Sequence, residues 1–154
     1  MRLFKTGALA ALWLMPALAM AEVRVEGPVE FGVFETSQRD AQPGERVLLR
    51  SNQRIHSTTE IPARLGTKFG LRLSLAGKQV DDVPLTLLYL TPGVVTPDGQ
   101  RHDRFEVVQK LAPGAVQDVM AFEFTEHHEV VPGEWHFLVF QGDRKLAEQR
   151  FQVR

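Results

Sequence analysis

Pro132-Gly133-Glu134-Trp135-His136-Phe137-Leu138-Val139-Phe140-Gln141-Gly142-Asp143 is the stretch that decides the fold. Trp135, Phe137 and Val139 recur at every second residue, the side-chain period of an extended strand and not of a helix. Pro132-Gly133 turns the chain before the run, and Gly142-Asp143 offers a two-residue hairpin connection after it. A second extended run, Leu146 to Val153, closes on Phe151-Gln152-Val153. A hairpin with an indole on one face must cover that face, and a second sheet about 10 Å away does so.

The two-residue rhythm continues upstream. Val23 and Val25, then Phe31 and Val33, sit two apart, with Gly27-Pro28 marking a bulge or break between them. Val47-Leu48-Leu49 is a short apolar run. Phe69, Leu71, Leu73 and Leu75 alternate with Gly70, Arg72 and Ser74, as in a half-buried strand, and Ala76-Gly77-Lys78 turns the chain. Around Leu85, Leu87 and Tyr89 both faces are apolar, which suits an interior strand. Pro97-Asp98-Gly99 is a turn, because Pro presets one backbone angle and Gly accepts a positive one. Phe105 with Val107 forms a short candidate. Met120, Phe122 and Phe124 form another. Lys110 to Met120 is the nearest thing to a helix, and Pro113-Gly114 interrupts it. The pattern predicts an all-β fold, an immunoglobulin-like antiparallel β-sandwich of about seven strands, with a closed barrel as the alternative. The end of the chain, Pro-Gly-Glu-Trp followed by alternating Phe and Val, resembles the last two strands of many bacterial immunoglobulin-like domains.

The start of the chain has a different character. Arg2 and Lys5 precede an apolar run from Gly7 to Leu18, and Ala19-Met20-Ala21 supplies small residues at a peptidase site. That order predicts a signal peptide over residues 1–21, too short and wrongly flanked for a retained membrane span. The expected mature chain is one domain, residues 22–154, periplasmic or secreted. Removing Arg2 and Lys5 leaves 16 basic against 19 acidic residues, a net charge of −3. That balance gives no electrostatic reason to expect nucleic acid or anionic lipid as a partner. No second apolar run is long enough to span a bilayer as a helix. The chain has no cysteine, which excludes disulfides, thiol catalysis, cysteine zinc sites and a lipid anchor on an N-terminal cysteine.

Thr58-Thr59-Glu60-Ile61-Pro62-Ala63-Arg64-Leu65-Gly66-Thr67-Lys68-Phe69-Gly70 is the most distinctive internal motif. With the leader, the early Val29-Glu30-Phe31-Gly32 and the Trp-containing end, it resembles an uncharacterised family of exported bacterial proteins, the domain of unknown function numbered 3859. The resemblance covers the mature chain and implies a domain and a compartment. It carries over no catalytic residue. The motif itself has two readings. In the structural one, Gly66 and Pro62 shape a turn and Glu60 pairs with a neighbouring Arg or caps backbone donors. In the functional one, Glu60, Arg64 and Lys68 stand on a loop at one end of the sandwich and bind a ligand or partner.

Chemistry-bearing patterns are sparse. Five histidines, His56, His102, His127, His128 and His136, raise a metal reading centred on Glu126-His127-His128-Glu129. Adjacent strand residues face opposite ways, so His127 and His128 can share an ion only within a turn. The mature serines, Ser37, Ser51, Ser57 and Ser74, lie in no Gly-x-Ser-x-Gly elbow, and no glycine-rich phosphate loop leads into a helix. The expected function is a non-enzymatic binding or interaction module without cofactor, its partner a protein or glycan of the cell envelope. The alternatives are copper or zinc handling through the His/Glu cluster, and a glycan-acting enzyme with two carboxylates converging in a cleft.

Two further features await a fold. Basic residues crowd Gly44 to Val80, and acidic ones crowd Ala115 to Trp135. The two stretches either screen each other or form a two-signed docking surface. Leu138 and Phe140 oppose the Trp135 face yet are apolar. Either the irregular stretch around Gly93 to Asp103 covers them, or they are a binding patch.

Overall fold

The computed structural model describes residues 22–35 and 53–154. Within them nine strands run in chain order: β1 (Arg24–Phe34), β2 (Ile55–His56), β3 (Glu60–Ile61), β4 (Lys68–Ala76), β5 (Leu85–Val95), β6 (Arg101–Gln109), β7 (Asp118–Glu123), β8 (Gly133–Gln141) and β9 (Arg144–Val153). One 3-10 turn, His127–Glu129, precedes β8. The strands form a four-stranded sheet, β2-β1-β4-β7, and a five-stranded sheet, β3-β9-β8-β5-β6. Seven of the nine strands have six residues or more, so the immunoglobulin-like sandwich of about seven strands is the observed fold. All pairings are antiparallel except β3 with β9, where Glu60 and Ile61 run parallel to Gln152 and Val153.

The inward residues of both sheets meet in one core. Phe69 of β4 lies at its centre, with ring centroids 5.8 Å from Trp135, 5.2 Å from Phe137 and 5.4 Å from Phe151. Trp135 is fully buried, and its indole nitrogen donates to the Val131 carbonyl at 2.9 Å. An indole is thus buried with its one polar group satisfied. The Trp135 and Phe151 contacts are edge-to-face and the Phe137 contact is stacked, and aromatic pairs of these kinds each contribute about 0.5–1.5 kcal/mol beyond area burial.

Gly32 and Gly70 are register partners on β1 and β4. A Cβ on Gly32 would stand 1.9 Å from the His56 carbonyl oxygen, and one on Gly70 would stand 2.0 Å from that of Met120. Only glycine lets the backbones approach this closely. The Gly27-Pro28 break appears as a register shift between Glu26 and Glu30 inside the continuous β1.

Three expectations need correction. Phe105 and Val107 belong to a nine-residue strand, β6, longer than the apolar pattern indicated. The stretch from Gly93 to Asp103 is not irregular. It is the β5–β6 hairpin, in the same sheet as β8, and a strand in the plane of a sheet cannot cover that sheet's outer face. Lys68 does not stand on a loop at one end; it opens β4 and is buried. Val47-Leu48-Leu49 and residues 1–21 lie outside the described residues.

Candidate interaction surface

The Thr58–Gly70 motif is the place where the chain crosses between sheets. Glu60 and Ile61 pair with β9 in one sheet, and Lys68 begins β4 in the other. Ala63 donates its amide to the Arg154 carbonyl at 2.8 Å, and Arg154 donates to Ile61 at 2.9 Å. Gly66 donates to Phe124 at 2.8 Å, and Phe124 returns a bond to Thr67 at 3.0 Å. These bonds tie the C-terminal strand and the end of β7 to one crossing, which is the structural reading of the motif. Glu60 accepts from Arg154 Nε at 2.6 Å, so its carboxylate faces a cation and not a second acid. Arg64 is exposed on the turn. The Lys68 ammonium is inside, bonded to the Gln53 side-chain oxygen and 5.1 Å from the centre of the Phe34 ring. The fold therefore does not gather Glu60, Arg64 and Lys68 into one site.

His127 and His128 share the 3-10 turn. The buried Glu129 carboxylate of the same turn is already engaged: Oε2 accepts from the Thr125 amide at 2.9 Å, the Thr125 hydroxyl at 3.1 Å and the Glu126 amide at 3.1 Å. Among the described residues no three His, Asp or Glu side chains stand close enough to hold a metal ion. At the opposite end, Glu22, Val23, Asp82, Gln141, Asp143 and Arg144 line an open cavity of about 340 Å³. Its polar groups are largely spent on each other: Asp82 accepts from the Gln79 amide at 2.7 Å, Gln141 donates to Val83 at 3.1 Å, and Arg144 meets Glu22 at 3.2 Å.

The oppositely charged stretches do adjoin. β4 pairs with β7, which sets Lys68 opposite Glu123, and Lys78 donates to Asp118 at 3.1 Å with both side chains buried. At these two positions the charges screen one another; Arg46 and Arg50 of the basic stretch lie outside the described residues.

The outer face of the five-stranded sheet carries the most organised surface pattern. The registers place Glu106, Leu88, Leu138 and Glu148 in one row across β6, β5, β8 and β9. The row to one side is Arg104, Leu90, His136 and Arg150, and to the other side Val108, Thr86, Phe140 and Lys145. The centre is mainly apolar, with Leu138 buried among its neighbours, Leu88, Leu90 and Phe140 half-buried, and Thr86 and His136 beside them, while the borders are charged except at Val108. Arg104 bonds Glu106 at 2.6 Å, and Arg150 bonds Glu134 at 2.5 Å. Glu148 accepts from Lys145 at 2.7 Å and contacts His136 Nε2 at 2.9 Å. Hydrogen bonds from Lys145 first, then His136, hold the Glu148 carboxyl below its ordinary range. Leu138 and Phe140 signalled half of this strip in the sequence. Leu88 was hidden, because an apolar residue on both faces of β5 reads equally as an interior strand.

A family model described as a domain of unknown function (DUF3859) matches residues 22–153. The chain belongs to this family. It is also similar to a solved structure, an immunoglobulin-like protein from Pseudomonas aeruginosa, with 65% sequence identity and a TM-score of 0.78, over 88% of this chain and 99% of that one. No curated protein matches the chain. This DUF3859 member is thus an immunoglobulin-like β-sandwich. Among its described residues no helix is long and apolar enough to cross a membrane.

Proposed function

We propose that this protein is an exported, non-enzymatic interaction module of the cell envelope that binds another protein through the outer face of its five-stranded sheet. The supporting observation is the three-row pattern on that face: half-buried Leu88, Leu90 and Phe140 surround the buried Leu138 in the middle, beside Thr86 and His136, and Arg104, Glu106, Lys145, Glu148 and Arg150 stand on either side. An apolar centre with a polar rim is the anatomy of protein–protein interfaces, where the centre contributes affinity and the rim orients the partner. A flat sheet face of this kind suits a protein surface better than a small molecule, which takes a concave pocket. The leader at residues 1–21 supports the compartment, with cleavage after Ala21.

Photo-crosslinking residues placed at Leu88 and Phe140, in the native envelope, test the reading. The expected result is one adduct of defined mass from both positions, lost when Leu138→Arg is added. A control probe at Ser74, on the four-stranded sheet, stays unreacted. Equal labelling from all three positions, or none from any, overturns it.

A further inference from the structure

We infer that β6 is a self-recognition edge, along which two copies of this chain join antiparallel into one continuous sheet. β6 is the last strand of its sheet, and among the described residues no strand lies beyond it. It is nine residues long. An edge of that length presents unpaired backbone donors and acceptors, which invites strand addition unless the side chains forbid it. Charges of one sign along the edge would forbid it. Here the signs alternate instead: Arg104 and Glu106 flank Phe105.

Symmetry decides what those charges do. A twofold axis at Phe105 sets two copies of β6 antiparallel, so that Arg104 of one copy stands opposite Glu106 of the other, and Glu106 opposite Arg104. Directly opposed residues of an antiparallel pair lie about 4.5–5.5 Å apart at Cβ. The 2.6 Å Arg104–Glu106 contact within each strand then becomes part of a ring of four charges with alternating sign. A twofold interface must be self-complementary in this way. A strand with the same sign of charge at both positions would set like charges opposite each other, which costs affinity and sets specificity. The Phe105 ring does not need to move, because it is already stacked inward on Phe122 at 5.9 Å and on His102 at 5.5 Å. Val108, 64% exposed, lies on the same strand and is drawn toward the joint.

Arg104 and Glu106 also border the face proposed above, but self-association of the purified protein is read without any partner of that face, so either proposal can fail without the other. Sedimentation equilibrium of the protein expressed from the full-length sequence, from micromolar to millimolar concentration, reads the association directly. The expected result is a monomer–dimer equilibrium that Glu106→Arg weakens by about tenfold or more, since like charges then face each other. The exchanged pair Arg104→Glu/Glu106→Arg restores it to near the wild-type value. Both side chains are largely exposed, so circular dichroism should show every variant folded. A wild-type protein that stays monomeric at millimolar concentration overturns the inference. So does a dimer indifferent to Glu106→Arg, or one that the exchange does not rescue.

Discussion

The Tyr89 hydroxyl donates a 3.0 Å hydrogen bond to the main-chain carbonyl of Ala121, joining β5 of one sheet to β7 of the other. Tyr89 is fully buried and Ala121 nearly so. The ring also packs edge-on against Phe137, at 4.8 Å between centroids. One side chain thus fills core volume and satisfies a backbone acceptor that water cannot reach.

Tyr89→Phe keeps the ring and removes the hydroxyl. The Ala121 carbonyl then loses this donor, at a cost of about 1–3 kcal/mol. Urea denaturation should show a lower midpoint with an unchanged slope, because the surface exposed on unfolding is the same.

Lys78 and Asp118 form a buried pair, with side chains 4% and 7% exposed, and Lys78 also donates to the Ala115 carbonyl at 2.6 Å. Lys78→Met leaves a carboxylate without its counter-charge and should destabilise by about 3–5 kcal/mol. The double variant Lys78→Met/Asp118→Leu removes both charges and should recover most of that loss in the same denaturation assay.

Arg72 holds Glu30 in a fork, with bonds of 2.8 and 3.0 Å from β4 to β1. Hydrogen bonding to Arg72 lowers the Glu30 carboxyl below its ordinary 4.5. A depressed folded-state value means that the stabilisation is complete above about pH 4.5 and is lost as pH falls through the lowered value. Glu30 is 46% exposed, so solvent screening keeps the effect under about 1 kcal/mol. Stability curves of the wild type and Glu30→Gln should differ at neutral pH and converge in acid.

Gly70→Ala would force a Cβ to within 2.0 Å of the Met120 carbonyl oxygen. The obstacle is backbone, so the strands must separate, and a loss above about 3 kcal/mol is expected. Gly66→Ala is the control. Gly66 has φ +81° and nothing within 4 Å of an added Cβ, so only the left-handed conformation is penalised, by about 1–2 kcal/mol. Thermal unfolding of the two variants should separate them clearly.

The β8–β9 hairpin was legible because burial on one face imposes a two-residue period, and Trp135, Phe137, Val139, Phe151 and Val153 obey it. The family was legible from the motif and both ends of the chain. β6 was only half legible. Its charged residues Arg101, Asp103, Arg104 and Glu106 break the apolar alternation, and it is their position at a sheet edge that tolerates them. The candidate interaction surface was less visible still, since β5 and β8 contribute equally and stand far apart in sequence. The Thr58–Gly70 motif misled in a specific way. Its Glu, Arg and Lys suggested a site, whereas their fates are an ion pair with Arg154, exposure on a turn, and burial beneath Phe34 and Gln53.

Period, turn residues and the absence of cysteine by themselves determined an all-β sandwich held by apolar burial, because those signals are local or compositional. Which polar side chains are buried, which strand is left at an edge, and which outward residues of separate strands come to lie in one row were decided only by the tertiary structure. Those properties depend on strand order and register, and strand order is set by long-range pairing that no local pattern encodes.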